Sequence, residues 1–223
     1  MCSAGYIASR TKLARDVTEF FAVVEELAGI SRHAIRPTHD TPFIRQESDG
    51  HLHVRMLHWG LVPFWAKDQK FSHSTFNARS ESLAEKPTFR EPFRSRRGIL
   101  PWVSYVEWRE ELGINVPYEL SLRNEAPLAL AGLWDCWTDG KTILESCTIV
   151  TTTPNELASQ FQDRMPVILH PEHYDLWLSP ATPASDLKVI MAPYPASEMK
   201  VELANPEDFK RKAPNGPQGV LEF

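Results

Sequence analysis

Residues 98–108 read GILPWVSYVEW, and this stretch sets the class of the fold. It is rich in branched and aromatic side chains, the composition of a strand with buried surroundings. Working outward, PFIRQ from Pro42 and HLHVRMLHWGLV from His51 flank the turn Ser48-Asp49-Gly50 and are expected to pair as a hairpin. On the other side, VPYELSL (116–122), PLALAGLW (127–134) and ILESCTIVTT (143–152) read as further strands. Turns are expected at Arg123-Asn124-Glu125 and Asp139-Gly140. Such a series predicts an antiparallel or mixed sheet.

Helical periodicity appears in KLARDVTEFFAVVEELAG (12–29), where Leu13, Val17, Phe20, Phe21, Val24 and Leu27 recur at helical spacing before Gly29. Shorter helices are expected over Pro154–Gln160, capped by Thr153, and over Pro171–Leu178, which opens on a proline followed by acidic residues. The 18 prolines argue against a helix bundle, and no fixed-period repeat is visible. The chain therefore reads as one α+β domain over 1–223, with a Pro-, Gly- and Lys-rich tail from about residue 204 extended over the surface.

At 223 residues the chain can bury a sizeable core without staples. Cys2, Cys136 and Cys147 form no CxxC pair, which fits a reducing compartment, and Cys136 and Cys147 are expected to be buried in strands. No stretch has the roughly 18 apolar residues of a membrane span, so a cytoplasmic protein without membrane contact is expected. The 24 basic and 29 acidic residues leave a formal net charge of -5, so a nucleic-acid site must be a local basic groove. His51 and His53 alternate on a strand, but no further ligand follows at a convincing interval, and neither a metal nor a cofactor is expected.

Cys2 carries the most specific chemistry. Once Met1 is removed, one residue presents an α-amine and a thiol on neighbouring carbons. An α-amine titrates near about 8 against about 10.4 for lysine, so part of it is neutral at physiological pH and condenses with an aldehyde. The thiol of the same residue then closes a five-membered thiazolidine at high effective concentration.

Four further segments accompany Met1-Cys2: Trp59-Gly60-Leu61-Val62-Pro63-Phe64-Trp65, Phe76-Asn77-Ala78-Arg79-Ser80-Glu81, Val106-Glu107-Trp108 and Asp163-Arg164-Met165-Pro166-Val167. In order and spacing this set resembles the SRAP (SOS-response-associated peptidase) family of abasic-site processing proteins. The resemblance implies a barrel-like α+β domain acting on single-stranded DNA that contains abasic sites, in the DNA damage response. Carried over by motif, Cys2 is the crosslinking residue, Asn77 holds the cysteine terminus and the opened sugar, and Glu107 is the acid/base group. Glu107, set among Tyr105, Val106 and Trp108, also has the surroundings that raise a carboxyl pKa.

Arg79 and Arg164 are candidate phosphate contacts, joined by Arg90, Arg94, Arg96 and Arg97, because planar multi-donor cations suit phosphate. Trp59, Trp65 and Trp108 either stack on bases or pack in the core. The chain also departs from the family. Gln162 stands where a histidine implicated in strand cleavage and crosslink reversal is usual, and it exchanges no proton. Ser3-Ala4 replaces Gly-Arg, and Arg36 is the nearest substitute for the lost charge. A monomer is expected, and two other readings stay open: an N-terminal-nucleophile thiol autopeptidase, and a noncatalytic single-strand binding module.

Overall fold

A computed structural model describes residues 2–8 and 32–209. The helix expected over 12–29 lies outside the described residues. The strands are β1 (Ala4–Ala8), β2 (Arg32–Ile35), β3 (Asp40–Gln46), β4 (Leu52–Trp59), β5 (Asn77–Arg79) and β6 (Arg97–Trp102). They continue with β7 (Ser104–Glu111), β8 (Ile114–Leu122), β9 (Leu128–Thr138), β10 (Ile143–Thr152), β11 (Met165–Pro166) and β12 (Met199–Leu203). The helices are α1 (Pro87–Ser95), α2 (Tyr174–Leu178) and α3 (Ala184–Ile190). This is the expected α+β class.

The stretch 98–108 is not one strand. It breaks at Val103, so that β6 belongs to one sheet and β7 to another. In the first sheet β10, β4, β3, β6 and β9 pair in that order, and β9 returns to β10, closing a five-stranded barrel. Pairing is antiparallel throughout except where β10 meets β4 and β5. The second sheet runs β12-β8-β7-β1-β2, all antiparallel. The corner between the sheets is tight: a Cβ on Gly5 would sit 2.4 Å from the Trp102 ring and 2.7 Å from the Ser104 carbonyl. Only glycine lets β1 lie against it.

β6 and the first half of β9 bury both faces, which explains their almost unbroken apolar sequences. Ile99, Ala131 and Val150 pack toward Phe89, Phe93 and Trp177 of the helices. Their neighbours Leu100, Leu130 and Ile149 join Phe43, Trp59, Trp102 and Tyr105 in a second cluster that spans the two sheets and includes Cys2. Cys147 is buried there, but Cys136 is exposed on β9, against expectation.

Helix α1 falls where only an arginine cluster was expected. Phe89, Pro92 and Phe93, at positions three and four apart, give it a buried stripe. The helix expected over Pro154–Gln160 is reduced to a 3-10 turn, Ala158–Gln160. Its cap is the Asn155 side chain, which accepts from the Leu157 and Ala158 amides at 3.0 and 2.8 Å, rather than Thr153. The described part of the tail also differs: Pro206–Phe209 is a 3-10 turn whose Phe209 packs edge-on against Tyr6 and Trp108. No helix among the described residues is long and apolar enough to cross a membrane.

Candidate active site

Cys2 leads into β1, which runs antiparallel to β7 with Ala4 opposite Val106 and Gly5 opposite Tyr105. That register carries the N-terminal residues back along β7 toward Glu107. Cys2 is wholly buried, and its carbonyl accepts a hydrogen bond from Asn77 Nδ2 at 2.6 Å. Asn77 is fixed in turn by β5, which pairs in parallel with β10 through Ile149. Just before it, the Phe76 carbonyl accepts from Trp59 Nε1 at 2.8 Å and from the Ile149 amide at 3.1 Å. The Asn77 amide is thus held with its nitrogen on Cys2, and its buried Oδ1 has no partner among the described residues.

Glu107 is 2% exposed. Burial pushes its carboxyl up to about 7, and the negative charge of Asp163 adds to the shift. A carboxyl titrating there both gives and takes protons at neutral pH. Burial also pushes the Cys2 thiol well above its ordinary range, with the charge of Glu107 acting in the same direction. The thiol is therefore kept protonated and is no ready thiolate.

Gln162 follows the Ala158–Gln160 turn, its amide donating to the Ala158 carbonyl at 3.1 Å. With Pro154, Ser159, Phe161 and Asp163 it lines a shallow depression of about 400 Å³. Asp163 connects this depression electrostatically to Glu107.

Several residues expected to touch DNA are structural instead. Arg164 is buried and clamps Glu81 with two hydrogen bonds of 2.6 and 2.9 Å, while also donating to the Thr151 carbonyl at 2.5 Å. Its role is to tie the 161–164 loop to β10 and to the turn after β5. Arg97 is buried as well and donates to the carbonyls of Trp177, Phe93, Arg94 and Ser179. It locks α1 and α2 to the barrel and has no face left for phosphate. Trp59 is fully buried in the core, which settles the choice left open for it. Trp108 packs on Phe209, on the opposite face of β7 from Glu107.

Arg36 lies with its guanidinium 5.9 Å from the Phe209 ring. Arg96 faces Asp135 at 3.4 Å. Arg94 is exposed and pairs with Glu91, Arg79 and Arg90 are exposed, and Trp65 stands 46% exposed beside Phe64. Sequence reasoning missed the Glu81 clamp, although Glu81 and Arg164 both sit in quoted motifs and are opposite in charge. It also treated Tyr105 only as an apolar neighbour of Glu107.

A closed, mostly antiparallel barrel with a second sheet, carrying a buried Cys2 hydrogen-bonded by an asparagine and a glutamate poised near neutrality, defines a distinct class of protein. Residues 1–206 match the sequence profile described as SOS response associated peptidase (SRAP), and the chain belongs to that family. It is 42% identical over 147 residues to YoaM of Bacillus subtilis, named an abasic site processing protein; the alignment covers 65% of this chain and 65% of that one. HMCES of Gallus gallus, with the same description, is 29% identical over 161 residues, covering 60% of this chain and 48% of the relative. The chain thus spans less than two thirds of the length of these relatives. A crystal structure of a protein from Bacteroides thetaiotaomicron superimposes with a TM-score of 0.76 at 28% identity, covering 97% of both chains.

Proposed function

We propose that this protein processes abasic sites in single-stranded DNA by forming a thiazolidine crosslink through Cys2 after removal of Met1. The observation that carries the reading is the joining of Asn77 to Cys2 at 2.6 Å beside a buried Glu107 whose carboxyl titrates at about 7. The amine of Cys2 attacks the aldehyde carbon of the ring-opened sugar, and proton transfer from nitrogen to oxygen gives a carbinolamine. Protonated Glu107 supplies a proton as the carbon–oxygen bond breaks, so that water leaves and an iminium remains. The thiol sulfur then bonds to the same carbon and its proton returns to Glu107. The net change is loss of one water.

Similarity to relatives named abasic site processing proteins supports the substrate class. The exposed Trp65 and Phe64, together with exposed Arg79 and Arg94, support contact with a single strand through stacking and phosphate pairing. Gln162 moves no proton, so the crosslink in this protein is long lived and strand cleavage is weak. The protonated state of the Cys2 thiol favours amine-first trapping over thiolate attack on a peptide bond.

The test uses protein freed of Met1 and an oligonucleotide with one abasic site. Intact mass should show protein plus DNA less one water, stable to heat. An equal yield of that adduct from Cys2→Ala would sink the proposal.

A further inference from the structure

We infer that the Tyr105 hydroxyl is a working group of this site, donating a hydrogen bond to the oxygen of the abasic aldehyde until that oxygen leaves as water. The inference rests on the reading of Cys2 given above and adds a residue to it.

Tyr105 is wholly buried, and its hydroxyl has no hydrogen-bond partner among the described residues. Among the large buried aromatics of this core it stands apart, since the indoles are all matched. Trp59 Nε1 reaches the Phe76 carbonyl at 2.8 Å, Trp102 Nε1 reaches Thr41 Oγ1 at 3.0 Å, and Trp177 Nε1 reaches the Gly98 carbonyl at 2.8 Å. A buried hydroxyl without a partner costs about as much as a lost hydrogen bond, and phenylalanine would fill the same space without that cost. Packing gives no reason for the oxygen; its position does.

Tyr105 precedes Glu107 by two residues on β7, so both side chains leave the same face of the strand. It lies opposite Gly5 across the β1–β7 ladder and shares an apolar cluster with Cys2. Burial holds its hydroxyl well above the ordinary phenol range, and negative charge on Glu107 acts in the same direction. It is therefore a permanent donor at physiological pH and never the base.

Division of labour with Glu107 follows. As the Cys2 amine attacks, the electron pair of the carbonyl moves onto oxygen, where a fixed donor is most valuable. Tyr105 holds that oxygen through the carbinolamine without transferring its own proton. Glu107 makes the transfer that releases water, and receives the thiol proton when sulfur closes the ring.

Tyr105→Phe separates this role from a structural one. In single-turnover crosslinking to an abasic oligonucleotide at saturating protein, the variant should react about tenfold more slowly, the loss expected for one hydrogen bond. Its affinity for the strand should be unchanged and its Tm equal or higher, whereas a merely structural hydroxyl would lower Tm on removal. A second variant, with 3-fluorotyrosine at position 105, keeps the shape with a stronger donor and should react faster than wild type. Wild-type rates in both variants would overturn the inference and leave the Cys2 reading intact. Absence of any Cys2-dependent adduct from wild type would remove both.

Discussion

Glu107 and Arg97 stand on consecutive strands at the two ends of one apolar run, and both bury a charge. They do so in opposite ways. Arg97 meets four carbonyls drawn from α1, α2 and the segments after them, so its N–H groups are matched where they lie. Burial instead pushes the Glu107 carboxyl up to about 7, with the negative charge of Asp163 adding to the shift. A buried charge that is fully matched is an internal tie, whereas one held near its titration point is available for proton transfer. Burial shifts both groups; what separates them is that Arg97, lowered to about 10, stays charged at neutral pH while Glu107 titrates there.

The sharpest way to break this contrast is Glu107→Gln. If the carboxyl is the proton carrier, crosslinking at neutral pH should fall about a thousandfold, within the usual range for loss of a general acid–base group. DNA affinity should change little. A crosslinking rate within a few-fold of wild type would make Glu107 another structural buried charge.

The same residue predicts a pH dependence of stability. The folded carboxyl titrates at about 7, above its ordinary 4.5, so the folded state holds the proton more tightly than the unfolded chain. The stabilisation is complete below about pH 4.5 and is lost as pH rises through about 7. That gap corresponds to about 3 kcal/mol. Denaturant unfolding of wild type and Glu107→Gln across this window should show wild type losing about that much relative to the variant. A pH-independent difference would mean that the carboxyl titrates normally.

Arg97→Met tests the other half. It would leave the Phe93 and Trp177 carbonyls buried without their donor, while those of Arg94 and Ser179 lie nearer solvent. A loss of about 2 kcal/mol in unfolding free energy is expected. Crosslinking per folded molecule should stay near wild type, because the tie holds Phe93 and Trp177, which pack in a different cluster from Cys2.

Much of this was legible before the fold was known, and what was not has physical causes. Alternation, turn residues and branched side chains reveal strands, so β3, β4, β8, β9 and β10 follow from sequence. The break at Val103 does not, because both sides of it are buried and the apolar pattern runs on unbroken; the signal is Gly5, more than ninety residues away. Cys2, Asn77 and Glu107 were expected from motif, and the fold brings Asn77 to Cys2 and buries Glu107. Arg97 and Arg164 were misassigned because an arginine that satisfies carbonyls and one that awaits a phosphate look identical in one dimension. Proximity to Glu81 or to a helix end decides between them, and proximity is a property of the fold.

Arg79 is the smallest and most discriminating case, because it lies on the same strand as Asn77 yet is exposed. As a phosphate contact it would release about 0.7 of a counterion from a single strand, so Arg79→Ala should flatten the salt dependence of binding by that slope. At moderate salt the affinity should drop about fivefold, or about 1 kcal/mol. Arg97→Met, measured alongside, should leave the slope unchanged, since its guanidinium is consumed by carbonyls. If both variants alter the slope equally, the division between tied and free arginines fails; if only Arg79→Ala does, the strand passes the C-terminal end of β5, two residues beyond the Asn77 that holds Cys2.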